Sequence, residues 1–176
     1  SNNTASYIIW DNATKTSKLY IRPYSSCKKY GAVTRQMMFS SSDNISGWNW
    51  DKARNKCSYL VIKNGKTYLN VRSFDGKFFG NDIKQLPFSS GTNIRGWTWN
   101  ISKSKCSYLV YGNGKTKLIT QSFDGQTFGG DSKEAPFSNN DNTKALNLDM
   151  YRNDLVYFSC YKNGQPTIQY KGKVNT

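Results

Sequence analysis

The chain has 176 residues, with 25 Lys and Arg against 11 Asp and Glu, no His, and a formal net charge of +14 at pH 7. That balance points to polyanionic partners: nucleic acid, an acidic membrane surface, or sulfated or sialylated glycans. The lack of His excludes histidine-based acid–base and nucleophilic catalysis, and no apolar run is long enough for a membrane-spanning helix.

Read from the N-terminus, Ser6-Tyr7-Ile8-Ile9 is a strand, with a short insertion following near Thr14–Lys18. Phe39-Ser40, Asn44-Ile45 and Gly47-Trp48-Asn49-Trp50 return about 49 residues later as Phe88-Ser89, Asn93-Ile94 and Gly96-Trp97-Thr98-Trp99. Ser58–Ile62 is aromatic and β-branched, and Asn64-Gly65 is a two-residue hairpin turn. The run 67–74 alternates, placing Tyr68, Asn70, Arg72 and Phe74 on one face and Leu69, Val71 and Ser73 on the other. Asp75-Gly76 makes a second turn, Phe78-Phe79 starts a short third strand, and Ile94 to Trp99 supplies a fourth.

Tyr59, Asn64, Gly65, Phe74, Asp75, Gly76, Phe79 and Gly80 recur at the same step as Tyr108, Asn113, Gly114, Phe123, Asp124, Gly125, Phe128 and Gly129. A further step replaces the tryptophans by Leu146 and Leu148, and Tyr161-Lys162-Asn163-Gly164 begins another copy. These spacings give one repeat domain over 1–176, with units at about 7–57, 58–106 and 107–156 and a partial unit at 157–176. No window has helical periodicity. The fold expected is all-β, a repeat protein with four-stranded units of about 49 residues, β-propeller-like. A β-trefoil is the alternative, since it would use three full units. The extra hairpin favours the propeller, and so few blades imply either a homo-oligomer that completes a ring or missing sequence.

The chemistry available is narrow. Glu134 is the single glutamate, so a glycosidase pair would have to be built from Asp. Asp75 and Asp124 are repeated, and each sits in a Ser-Phe-Asp-Gly turn where a carboxylate bonds backbone N–H groups. That string is similar to the structural Asp-box turn of sialidases, with Gly one residue early and Phe in place of Trp. The expectation is therefore a non-enzyme with no cofactor and, without His or a Cys-x-x-Cys pair, no metal site.

Aromatic residues are the positive signal: five Trp, twelve Tyr and nine Phe. Trp48 and Trp50 share a strand face, as do Trp97 and Trp99. On a rigid sheet such rings can stack sugars or bases, or they can form the core between units. The candidate ligand-binding set is Trp48, Trp50, Trp97, Trp99, Tyr59, Tyr108, Arg72 and Gln121. Of the basic residues 19 are Lys and six Arg, a diffuse charge rather than one built for bidentate reading of phosphate or guanine. Cys27, Cys57, Cys106 and Cys160 allow three disulfide pairings. Asn-x-Ser/Thr triplets at Asn2, Asn12, Asn44 and Asn100 add to the expectation of a secreted protein.

The order Ile94 to Trp99, Tyr108 to Tyr111, Asn113-Gly114-Lys115, then Asp124-Gly125 to Phe128-Gly129-Gly130 resembles the blade of the fungal and bacterial fucose-binding lectin β-propellers. The resemblance implies a multivalent lectin, in some small members a ring of several chains. It gives Trp50 and Trp99 a counterpart among that family's sugar ligands. The Arg and Glu of the fucose site have none, because the strands Ser58–Ile62 and Ser107–Tyr111 hold no Arg and the strands after them no Glu. The function expected is a secreted, lectin-like carbohydrate-binding protein that prefers acidic glycans, with glycans or glycoproteins as partners. A basic toxin or effector that binds a protein or an acidic cell surface is the alternative, and a nucleic-acid-binding protein the second.

Overall fold

A computed structural model of the chain describes residues 4–24, 30–40, 44–88, 93–113 and 115–134 in full, and the backbone of 135–136, 142–149, 155–162 and 165–171. The described residues form strands β1 (Thr4–Asp11), β2 (Thr16–Pro23), β3 (Arg35–Met38), β4 (Asn44–Asp51), β5 (Lys56–Lys63), β6 (Lys66–Ser73) and β7 (Lys84–Pro87). They continue as β8 (Asn93–Asn100), β9 (Lys105–Gly112), β10 (Lys115–Ser122), β11 (Lys133–Pro136), β12 (Asn142–Asp149), β13 (Leu155–Lys162) and β14 (Gln165–Lys171). One 3-10 turn, Ile101–Lys103, follows β8.

The strands make separate antiparallel sheets in chain order: β1-β2-β3, β4-β5-β6-β7, β8-β9-β10-β11 and β12-β13-β14. Each is a self-contained meander, which is the build of a propeller blade rather than of a trefoil lobe. Each complete sheet opens with its Gly-Trp strand, so the sequence span 58–106 joins three strands of one sheet to the first strand of the next. The chain divides into two compact units, Ser1–Gln85 and Leu86–Thr176.

Local chemistry sets the strand ends. Asn64 and Gly65 both have positive φ, 51° and 70°, and join β5 to β6 with Lys63 opposite Lys66. That is the mirror-image turn whose twist matches a hairpin. In β4 the register slips between Ser46 and Asn49, and in β8 between Arg95 and Thr98. Gly47 and Gly96 sit at the slip with φ of 59° and 57°, the left-handed conformation of a glycine bulge. The bulge leaves Trp48 and Trp50 both against Phe74, with ring centroids 5.6 and 5.1 Å away.

The expected strand at Phe78-Phe79 is reduced to one bridge, Phe74 with Phe79, and the short outer strand is Lys84–Pro87. Asp82 explains the loop between them. Its carboxylate accepts the N–H of Ser73 at 3.0 Å and the Ser73 hydroxyl at 2.7 Å, while Gly80 N–H bonds the Ser73 carbonyl at 2.9 Å. Asp131 repeats the arrangement on Ser122.

Central strands are buried on both faces. Cys57, Ser58, Tyr59, Leu60 and Val61 are all inside, as are Leu69, Asn70 and Val71. Within the first unit, Leu19, Ile21, Ile45, Cys57, Tyr59, Val61 and Phe74 form one cluster. There Ile45 N–H donates to the Ser17 hydroxyl at 3.2 Å and Trp48 Nε1–H to the Ser6 hydroxyl at 2.9 Å, which ties β4 to the sheet of β1 and β2. In the second unit Ile94, Trp97, Cys106, Leu109, Leu118 and Phe123 are buried.

Candidate functional site

The bulged strand delivers its first tryptophan into an aromatic box. Trp48 stacks on Tyr59 at 6.0 Å and meets Phe74, Phe79 and Phe39 edge-on. Trp97 repeats this with Tyr108 at 6.1 Å, Phe123, Phe128 and Phe88. Offset and edge-to-face pairs of this kind add to the burial energy. The second tryptophan is fixed by a hydrogen bond: Trp50 Nε1–H donates to the Phe74 carbonyl at 3.3 Å, and Trp99 Nε1–H to the Phe123 carbonyl at 3.2 Å.

Most of these rings are interior. Trp97 is 2% exposed and Trp99 8%, and Tyr59 and Tyr108 are equally enclosed. Trp48 and Trp50 are half-buried. Gln121 is buried and donates to the Tyr108 hydroxyl at 3.3 Å. Arg72 donates from Nε and from its terminal nitrogen to the Gly80 carbonyl, with its guanidinium 4.7 Å from the Phe79 ring centroid. The structure thus gathers the candidates into two groups, Trp48, Trp50, Tyr59 and Arg72 in the first unit and Trp97, Trp99, Tyr108 and Gln121 in the second, each engaged in packing. The rings lie against each other, and the polar groups of Arg72 and Gln121 are turned to the protein itself.

The carboxylates are engaged in the same way. Asp75 Oδ1 accepts the N–H groups of Lys77 and Phe78, both at 2.6 Å, and Asp124 those of Gln126 and Thr127. Those donors hold both carboxyls below the usual carboxylate range. The Ser73 and Ser122 donors do the same for Asp82 and Asp131, and Lys18 for Asp11. Such groups are poor proton donors or acceptors near neutral pH. Among the described residues no three His, Cys, Asp or Glu side chains converge as metal ligands.

Cys57 and Cys106 are buried free thiols, so neither serves in a disulfide, contrary to the sequence expectation. Cys57 lies inside β5 and Cys106 inside β9, and burial pushes each thiol up to about 12. Cys27 and the side chain of Cys160 lie outside the described residues.

The surface of the first unit carries different aromatics. Phe78 is 67% exposed, and the Arg35 guanidinium lies 5.2 Å from its ring centroid. Arg35 Nε is buried without a hydrogen-bond partner. Burying that donor without a partner is costly, and it leaves the guanidinium short of one acceptor. Sequence reasoning missed this pair. Its signal was departure from the repeat: Lys84 and Lys133 stand where Arg35 stands, and Thr127 where Phe78 stands.

Two meandering four-stranded sheets, each with an aromatic box at its glycine bulge, define a fold of the β-propeller type. Solved structures agree on that fold. TolB from Acinetobacter baumannii superposes with a TM-score of 0.58 at 13% identity, over 98% of this chain and 39% of the TolB chain. A structure of the nidogen/laminin complex gives 0.56 at 13% identity, over 95% of this chain and 74% of that one. The chain therefore spans well under half of the TolB chain it matches. No protein-family model matches the chain, and no curated protein does. The likeness to fucose-binding lectins is thus borne out for the propeller fold only. No helix among the described residues is long and apolar enough to cross a membrane.

Proposed function

We propose that this chain is a non-enzymatic, secreted, lectin-like binding module that takes acidic glycans. The observation that carries this is the Arg35–Phe78 pair, an under-bonded guanidinium on an exposed ring in a chain of net charge +14. A sulfate or carboxylate on the sugar would accept from the terminal guanidinium N–H groups. The ring supplies an apolar face for the sugar's C–H groups. The engaged carboxylates support the non-enzymatic part. Several weak sites on a homo-oligomer would add avidity.

The test is a glycan array of sialylated, sulfated and neutral sugars, probed with the wild-type chain and with Arg35→Ala and Phe78→Ala. Acidic glycans should bind, and each substitution should weaken them by about tenfold or more. Binding to neutral sugars alone sinks the proposal. A basic effector that grips a protein or acidic cell surface is the second reading, favoured by the net charge. It predicts binding that simple acidic sugars do not compete.

A further inference from the structure

Two kinds of glycine turn recur in the chain, and they differ in how firmly the residue before the glycine is held. At Asp75-Gly76 the carboxylate Oδ1 accepts two backbone N–H groups, and a Cβ on Gly76 would stand 3.1 Å from the Trp50 ring. Asp124-Gly125 repeats that enclosure with Trp99. The pair Asn64-Gly65 is open instead. Lys63, Asn64, Gly65 and Lys66 are all exposed, and a Cβ on Gly65 would meet no atom within 4 Å. Asn113-Gly114 and Asn163-Gly164 share the residue pair but lie partly or wholly outside the described residues.

An asparagine followed by glycine carries its own nucleophile. The backbone nitrogen of Gly65, once deprotonated, attacks Cγ of Asn64. The new C–N bond closes a succinimide ring, and the side-chain nitrogen leaves as ammonia. Water then adds to one of the two ring carbonyls and opens the ring. One opening leaves aspartate. The other leaves isoaspartate, with the main chain routed through the former side chain. One water is consumed for each ammonia released, and no electrons are transferred. Glycine obstructs the attack least, because it has no Cβ. Lys63 and Lys66 pair across the turn and bring two cations to the segment whose nitrogen must become an anion. The other turn asparagines, Asn12, Asn55 and Asn81, are followed by Ala13, Lys56 and Asp82, whose side chains hinder the same step.

We propose that Asn64-Gly65 is a hydrolytic modification site, where the native chain loses ammonia and acquires a carboxylate between Lys63 and Lys66. An exposed hairpin tip opens at little cost, which frees Asn64 from its φ of 51° for the attack. The two products act differently. Aspartate before glycine suits the same turn, so it keeps the hairpin and lowers the net charge of +14 by one. Isoaspartate lengthens the main chain by one carbon and breaks the pairing of Lys63 with Lys66. Asp75 and Asp124 are spared in the folded chain. Their N–H donors keep each carboxyl ionised and in place, and an ionised carboxylate resists attack by an amide nitrogen.

The test incubates the full chain at pH 8, folded and in denaturant in parallel, followed by chymotryptic digestion and mass spectrometry. An isoaspartate-specific methyltransferase reports the isoaspartate formed. In the folded chain the peptide that contains Asn64 should gain one mass unit and accept methyl groups. Its rate should lie within about tenfold of the rate in denaturant, because opening the tip costs little. Peptides that contain Asp75 or Asp124 should accept methyl groups only from the denatured chain. Gly65→Ala should slow conversion of Asn64 by at least about tenfold in denaturant, where the stability of the variant plays no part. Three results overturn the proposal: Asn64 intact in the folded chain after the denatured chain has converted, equal rates for wild type and Gly65→Ala in denaturant, or methylation at Asp75 in the folded chain as fast as at Asn64.

Discussion

Trp99 donates its indole N–H to the backbone carbonyl of Phe123 at 3.2 Å, and its ring lies under the turn that follows. A Cβ built on Gly125 would stand 3.0 Å from two carbons of that ring, and Gly125 has φ of +91°. Trp50 and Gly76 repeat the relationship at 3.1 Å with φ of +89°. The Asp-Gly turn is therefore doubly constrained, by backbone conformation and by the indole beneath it. Gly125→Ala should destabilise the fold by about 1–3 kcal/mol, combining left-handed strain with overpacking. Urea denaturation measures this, and a loss below about 0.5 kcal/mol would mean that the ring moves aside freely.

Asp75 and Asp124 give a pH prediction. Backbone N–H donors lower both carboxyls in the folded state. A lowered folded pKa contributes stability that is present above the unfolded value, roughly 3.9, and is lost as pH falls through the folded one. Stability should therefore hold at pH 5 and decline from about pH 4 downward. Asp124→Asn keeps an acceptor oxygen but removes the titration, so its urea midpoint should fall less steeply between those conditions. An unchanged slope in that variant would assign the acid sensitivity elsewhere.

The repeat made much of the fold legible. The Asn64-Gly65 hairpin, the shared face of Trp48 and Trp50, and the turn role of Asp75 all follow from spacing and residue chemistry. Three features did not. The Phe78-Phe79 strand looked sound because both residues favour sheet, but Asp82 takes the Ser73 groups and breaks the pairing. The Gly47 and Gly96 bulges cannot be separated from ordinary strand glycines by alternation alone. The tryptophans suit a sugar platform and a core equally well by type, and only burial places Trp97 and Trp99 in the core while Trp48 and Trp50 stay half-buried. Tyr30-Gly31 does align with Phe79-Gly80 at the repeat step, so the Tyr24–Tyr30 bridge was readable in principle.

Cys57 and Cys106 should be chemically silent in the native protein. Burial holds each thiol protonated, and neither is accessible at the surface. Alkylation with iodoacetamide at pH 8, followed by peptide mapping, should leave both unmodified until denaturant is added. Rapid modification of either in the native state would show that its strand opens readily, since only the thiolate reacts.

Trp97 separates scaffold from site. Its indole fills the box of Tyr108, Phe123, Phe128 and Phe88, and β12 carries Leu146 at the matching repeat position. Leucine restores much of the apolar volume but not the edge-to-face contacts. Trp97→Leu should thus cost about 1–3 kcal/mol, less than the 3–5 kcal/mol or so expected of Trp97→Ala. Under conditions where it remains folded, the leucine variant should bind acidic glycans as the wild type does, because its indole faces the interior. Paired denaturation and binding titrations decide between the roles. A tenfold loss of binding with stability intact would make Trp97 a ligand contact and would move the site from Arg35 and Phe78 to the aromatic box.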